Sequence, residues 1–229
     1  MLMTIQQSYS VEGLRSTPLF RDASAETLEQ FARVCLVQRV PSGTELIGAG
    51  ERPGFVHLVL EGAVEFFSME AGREAMLCTV RDGLAVGLDA LLSSDEPVHG
   101  ARTLTTARLL AIPGANLVPA MSKDAGLAFA AASIASTLST RLAKELAEQK
   151  LRTSIERLAH WLLRVQRHFG GADRFELPYS KRTLALRLGM TPESLSRNFA
   201  QIEKSGCRID GPFVTVTDRP TLEKLARIG

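Results

Sequence analysis

The stretch from Lys181 to Arg197 constrains this chain more than any other. Lys181-Arg182-Thr183-Leu184-Ala185-Leu186-Arg187-Leu188 and Pro192-Glu193-Ser194-Leu195-Ser196-Arg197 read as two short helices, with only Gly189-Met190-Thr191 between them. Gly189 suits a tight turn. Thr191 can cap the second helix through its hydroxyl, and Pro192 falls at the first helical position, where its missing N–H costs nothing. On that second helix Glu193, Ser196 and Arg197 are three and four residues apart and share one face, while Leu195, Phe199 and Ile202 take the apolar one. A surface helix with ordinary solvated charges is the plain alternative. The preceding helix, the turn and the cap together favour a helix-turn-helix, whose second helix enters a DNA major groove. There Arg grips a guanine edge, Glu accepts from a cytosine amino group, and Ser reaches either base type. Glu193, Ser196 and Arg197 are therefore the candidate base readers. Lys181, Arg182, Thr191 and Lys204 are candidate phosphate contacts.

Charge supports the same division. The 229 residues carry a net charge of only +2, but the two ends differ. Residues 1–151 hold 13 Lys and Arg against 17 Asp and Glu, and residues 152–229 hold 14 against 8. A basic C-terminal module attached to a mildly acidic one is the electrostatic footprint of a nucleic-acid binder. Cys35, Cys78 and Cys207 are too far apart for a disulfide framework or a metal site, and read as small core hydrophobes. Neither a secretory signal nor a membrane span is visible, so a cytoplasmic protein with no membrane partner is expected.

The hydrophobic period changes along the chain. Residues 1–18 are polar and read as irregular. Ala23–Val34 has helical spacing. From Val37 to about Pro113, short β-rich runs alternate with glycine turns such as Glu61-Gly62 and Ala71-Gly72, the pattern of a sandwich or jelly roll. From Asp124 to Leu151 the period becomes helical over roughly 40 Å at 1.5 Å per residue. Leu127, Ala131, Ile134, Leu138 and Leu142 recur at three or four residues along this helix. With small residues at Ala128, Ala132 and Ala135, they are read as a seam between two copies of the helix. Thr153-Ser154 marks a break and a new cap, and Ile155–Phe169 an amphipathic helix. Asp210-Gly211 is a hairpin turn leading into Phe213–Thr217, a wing beside the helices. Asp218 caps a last helix. The expected fold is α+β. Residues 1–18 form an extension, 19–122 a β jelly-roll domain, 123–152 a long helix and 153–229 a winged helix-turn-helix.

This order, with Leu188-Gly189-Met190-Thr191-Pro192-Glu193 followed by Ser196-Arg197, resembles the Crp/Fnr family of bacterial transcription regulators. Pro18-Leu19-Phe20, Pro41-Ser42-Gly43-Thr44 and the turns at Gly50-Glu51, Glu61-Gly62 and Asp82-Gly83 are similar to family landmarks. The resemblance implies a homodimer with an effector domain, a dimerisation helix and a DNA-binding output domain, and RNA polymerase as a further partner. The Glu-x-x-Ser-Arg pattern is that of the Fnr-like branch, which implies half-sites similar to TTGAT in a palindrome.

The effector domain departs from the best-known branches. Gly87, Leu88, His99, Gly100 and Ala101 align with the cyclic-nucleotide pocket. Leu88 stands where the resemblance implies a ribose-binding Glu, and His99 where it implies a phosphate-binding Arg. A Leu cannot accept from a ribose hydroxyl, and a largely neutral His replaces a permanent bidentate cation poorly. Cyclic AMP of the usual kind is therefore not the expected effector. Residues 1–34 contain no Cys, so no iron–sulfur cluster is expected. A heme- or redox-based sensor and an effector-independent regulator are the alternatives, although Asp89 occupies the position of the heme ligand in the family's carbon-monoxide sensors. No phosphate loop, nucleophile elbow or paired metal-ligand motif is present, so an enzyme is not expected. A binding module without DNA binding is disfavoured by the intact Glu193/Ser196/Arg197 face.

Overall fold

A computed structural model describes residues 7–227. Two compact units divide the chain, Met1–Leu142 and Ala143–Gly229. In the first, β1 (Gln7–Ser8), α1 (Val11–Arg15) and α2 (Ala25–Val34) precede the strands β2 (Leu36–Val40), β3 (Glu45–Ile47), β4 (Phe55–Glu61), β5 (Ala63–Glu70), β6 (Arg73–Arg81) and β7 (Ala85–Val86). A short helix α3 (Leu88–Leu92), strands β8 (Gly100–Thr103) and β9 (Ala107–Pro113), α4 (Gly114–Met121) and the long α5 (Ala125–Leu151) follow, the residues of α5 from Ala143 onward counting with the second unit. Two antiparallel sheets, ordered β1-β2-β9-β4-β7 and β3-β8-β5-β6, carry the β-roll expected from the glycine-punctuated runs.

The two sheets share one core. Val56, Leu58, Leu109 and Ile112 of the first meet Val64, Phe66 and Val80 of the second, all with no exposed surface. Period-2 alternation fails on β5, where five successive residues are buried. Glu65, 3 % exposed, is one of them. Its carboxylate is matched by Arg102, which also pairs with Glu74 and lies 4.9 Å from the centre of the Phe67 ring. Burying a charge is tolerable only with such pairing.

Two expectations fail here. The N-terminal stretch is not irregular throughout. Ser10 caps α1 by accepting from the Gly13 N–H, and Leu14 is fully buried in the core beside Tyr9 and Val11. One turn of helix was too short to show a period. The helical residues assigned to a seam are also corrected. Leu127, Ala131, Ile134 and Leu138 are at most 5 % exposed and belong to the core of their own β unit, with Leu142 packed partly buried against it. The apolar face of α5 covers its own sheets, because those sheets need a cover.

What fixes α5 there is Asp124. One carboxylate oxygen accepts from the Leu127 N–H at 3.0 Å and caps α5; the other accepts from the Ser24 N–H at 2.9 Å, at the start of α2. Two residues on, Gly126 is where a side chain cannot go: a Cβ would stand 1.9 Å from the Asp22 carbonyl oxygen.

In the second unit α6 (Ser154–His168) begins with a capping box between Thr153 and Glu156. Strand β10 (Arg174–Glu176), α7 (Lys181–Arg187), α8 (Pro192–Glu203), β11 (Cys207–Asp210), β12 (Phe213–Val216) and α9 (Arg219–Leu225) follow. Leu158, Leu162, Leu184, Ile202, Val214 and Leu222 form its core. The wing has three strands, β10-β12-β11, one more than expected. Among the described residues no helix is long and apolar enough to cross a membrane.

Burial raises the Asp124 pKa, but hydrogen bonds from Thr27, Ser24 and Leu127 outweigh it and hold the carboxyl below its ordinary 3.8. A depressed carboxyl contributes stability above its unfolded pKa and loses it as pH falls through the folded value. Asp124→Asn should therefore lower stability by about 1–2 kcal/mol at pH 7. The difference from the parent chain should shrink below about pH 4. Urea midpoints of both chains at neutral and acid pH check this.

Candidate nucleic-acid interface and effector cavity

The helix-turn-helix is built by local rules. The Ser180 hydroxyl caps α7 through the Thr183 N–H at 3.2 Å. After α7 the Met190 N–H reaches back to the Ala185 carbonyl at 3.0 Å, and Gly189 takes φ +60°, a left-handed value that favours glycine. Thr191 then caps α8, its hydroxyl accepting from the Ser194 N–H at 3.2 Å, with Pro192 at the first position. Arg157 of α6 holds the turn from behind. It donates to the carbonyls of Leu188 at 2.9 Å and Gly189 at 3.3 Å. These are carbonyls at the end of a helix, so a cation there completes both hydrogen bonding and dipole. Arg157 was not singled out in the sequence, because its partner is 31 residues away.

Glu193, Ser196 and Arg197 are all exposed on α8, and Leu195, Phe199 and Ile202 are buried. The exposed face is ordered before any ligand. The Ser196 hydroxyl donates to the Pro192 carbonyl at 3.0 Å, and one Arg197 nitrogen donates to the Ser194 hydroxyl at 3.2 Å. The Glu193 carboxyl is held below its ordinary range by its own N–H, by the Thr191 hydroxyl and by the Arg197 charge. Of the candidate phosphate contacts, Arg182, Thr191 and Lys204 are exposed, and Lys181 lies with its ammonium 5.6 Å from the centre of the Phe199 ring. Strand register adds a basic rung that the sequence did not reveal. Arg174 and Arg208 flank Thr215 on the wing, with Arg174 over the Phe213 ring.

Of the residues aligned with a nucleotide pocket, Leu88 lines a cavity and His99 is bonded to Asp89 on its wall. Gly87, at φ +85°, starts α3, and Leu88 is buried. His99 stacks on Phe66 at 4.3 Å, and its Nε2 meets Asp89 Oδ2 at 2.7 Å. Burial pulls the His99 pKa down, but the Asp89 bond and charge outweigh it and raise it; the same pairing lowers Asp89. At Gly100 the space a Cβ would need is taken by the Phe67 ring and by the backbone of Ile47 and Ala49, within 2.8 Å. Ala101 is buried in the core. The nearby arginines are engaged. Arg52 spends its guanidinium on the carbonyls of Ser93, Ser94 and Asp95 at 2.9–3.0 Å, and Arg102 is held by Glu65 and Glu74. A cavity of about 170 Å³ does open between α3 and α5, lined by Leu88 and Asp89 on one side and Ile134, Leu138 and Leu142 on the other. His99, Gly100 and Ala101 do not line it. Among the described residues no group of three or more His, Cys, Asp or Glu could hold a metal ion. His57, which lies on β4, is pushed down to about 4 by burial.

Comparison with known proteins places these features. Residues 37–124 match the cyclic nucleotide-binding domain, and residues 156–225 match the Crp-like helix-turn-helix domain. The fumarate and nitrate reduction regulatory protein of Escherichia coli K12 is 26 % identical over 196 residues, 82 % of this chain and 77 % of that one. A structure from Eubacterium rectale, described as a transcriptional regulator of the Crp/Fnr family, superposes with a TM-score of 0.79 at 20 % identity, covering 92 % of this chain and 98 % of the other. The c-di-GMP responsive global regulator CLP of Xanthomonas campestris gives 0.71 at 22 % identity, covering 85 % and 100 %. With both domains in the family's order, covering more than half of its length, and with the long helix between them, the chain belongs to the Crp/Fnr family of transcription regulators.

Proposed function

We propose that the chain works as a homodimer that reads a TTGAT-like palindrome through Glu193, Ser196 and Arg197, under the control of an effector other than cyclic AMP. The observation that carries this reading is the exposed Glu-x-x-Ser-Arg face on a capped helix, in a unit whose charge is strongly basic. Two such helices related by a two-fold axis would enter successive major grooves about 34 Å apart. Lys181, Arg182, Thr191 and Lys204 would position the protein on phosphates, and RNA polymerase is the partner such a regulator would address.

The dimer seam is assigned to the face of α5 that its own core leaves uncovered. Phe129 is 74 % exposed, and Ala132 and Ser136 are exposed at the spacing of a heptad. The same spacing continues in the sequence through Ala143 and Leu146. Hydroxyls on this side are satisfied within the helix: Ser133 donates to Phe129, Thr137 to Ser133 and Thr140 to Ser136, at 2.8–3.0 Å. A partner helix can therefore approach without stranding these three hydroxyls.

The effector reading rests on missing anchors. No Glu or Arg stands at Leu88 and His99, and the other arginines of the region are consumed by carbonyls and carboxylates. With Arg52 and Arg102 held in this way, neither stands ready to meet a cyclic phosphate. Titration calorimetry with cyclic AMP tests this, and micromolar binding would overturn it.

Arg197→Ala should cost about 1–3 kcal/mol on the specific palindrome and relax base preference at one position. Lys204→Ala should weaken all sequences alike and reduce the salt slope by about one unit. Gel-shift titrations at several salt concentrations separate the two. For the seam, Ser136→Asp should yield a monomer with unchanged circular dichroism, whereas Ile134→Asp should unfold the β unit, since burying an unpaired charge costs several kcal/mol. Sedimentation showing an unaltered dimer for Ser136→Asp would refute the assigned face.

A further inference from the structure

We infer that the cavity between α3 and α5 binds a compact apolar molecule of benzene-like size carrying one hydrogen-bond donor. This rests on reading the β unit as an effector domain for something other than a cyclic nucleotide. Size comes first. The cavity measures about 170 Å³, close to the roughly 150 Å³ of an apolar cavity that takes benzene and well below the roughly 300 Å³ and more of pockets for larger ligands.

The wall is the second constraint. Leu88, Ile134, Leu138 and Leu142 are aliphatic, and Asp89 is the sole ionisable side chain among the lining residues. No cation is there to meet an anion, and a carboxylate would repel one. Asp89 supplies the third constraint. Its Oδ2 is taken by His99, the N–H groups of Asp89 and Ala90 also hold the carboxylate, and Oδ1 is buried with no side-chain donor on it. A carboxylate oxygen can accept more than one hydrogen bond, so a ligand hydroxyl can reach it while the ring fills the aliphatic space. Anions are selected against, simple hydrocarbons lack the donor, and phenol has both parts.

The position is consequential. α3 has five residues and begins at a left-handed glycine, whereas α5 has 27. A ligand held by Leu88 and Asp89 on one side and by Ile134 and Leu138 on the other would tie the short helix to the long one.

Phenol, benzene and benzoate are the probes, titrated into the full chain and followed by ligand-observed NMR. Phenol should bind with a dissociation constant on the order of 0.1–1 mM, a reasonable range for seven non-hydrogen atoms, and about tenfold more tightly than benzene. Benzoate should not compete. Ala135→Phe, which fills the cavity, should abolish phenol binding, and Asp89→Asn should reduce the preference for phenol over benzene. If Ala135→Phe does not fold, Ala85→Leu fills the cavity from the β7 side and must give the same result. Equal binding of phenol and benzene, undiminished binding by a folded cavity-filling variant, or no binding at about 10 mM phenol would overturn the assignment. Cyclic AMP titrated in parallel separates the two failures. Micromolar cyclic AMP binding defeats the reading on which this site rests, whereas failure of phenol alone defeats only the site.

Discussion

The carboxylate of Asp124 is the point on which the β unit turns. It is 92 % buried, and it serves the starts of two helices at once, accepting from Leu127 for α5 and from Ser24 for α2. A negative group at a helix N-terminus is favoured by the free N–H groups and the dipole, and here a single group meets two such ends. Close approach at Gly126 brings the Asp22 carbonyl against the first turn of α5. Together these contacts set the rotation of α5 about its own axis. With that rotation set, Leu127, Ala131, Ile134 and Leu138 must face the sheets, and Phe129, Ala132 and Ser136 must face away.

Charge in the β unit is used for structure. Arg102 is shared by Glu65 and Glu74, Arg52 staples the loop after α3 by its carbonyls, and His99 is tied to Asp89. A family fold that could present a cation to a phosphate here commits its cations to its own backbone and carboxylates. The outcome is an aliphatic cavity with one acid at its edge in place of a polar cradle. Cys35 and Cys207 are buried, and burial pushes their thiols up to about 12 and about 11. They behave as core hydrophobes, as their spacing implied.

In the winged unit the reading helix is held by short-range chemistry and braced by one long-range group. Caps at Ser180 and Thr191 and the glycine turn are local. The Arg157 guanidinium, on Leu188 and Gly189, fixes the angle at which the second helix leaves the first. Glu193, Ser196 and Arg197 are thereby presented on a rigid element, already hydrogen-bonded among their neighbours. Preorganisation of this kind lowers the ordering cost of binding.

What the sequence alone determined is what local rules govern. The helix-turn-helix, its caps, the break at Thr153, the hairpin at Gly211 and the glycine-punctuated strands all depend on residues within a few positions of one another. Helical spacing likewise showed that α5 is long and amphipathic. It could not show which partner covers the apolar face, because a core and a dimer seam ask for the same spacing. Only the tertiary structure decided that, through Asp124 and Ser24, 100 residues apart in the chain. The same holds for the effector region. Alignment put Leu88, His99 and Gly100 near one another, but that His99 is tied to Asp89, and that Phe67 and the β3 backbone fill the space at Gly100, appear only in the packing. Contacts between distant segments determine where a cavity opens, and no local pattern encodes them.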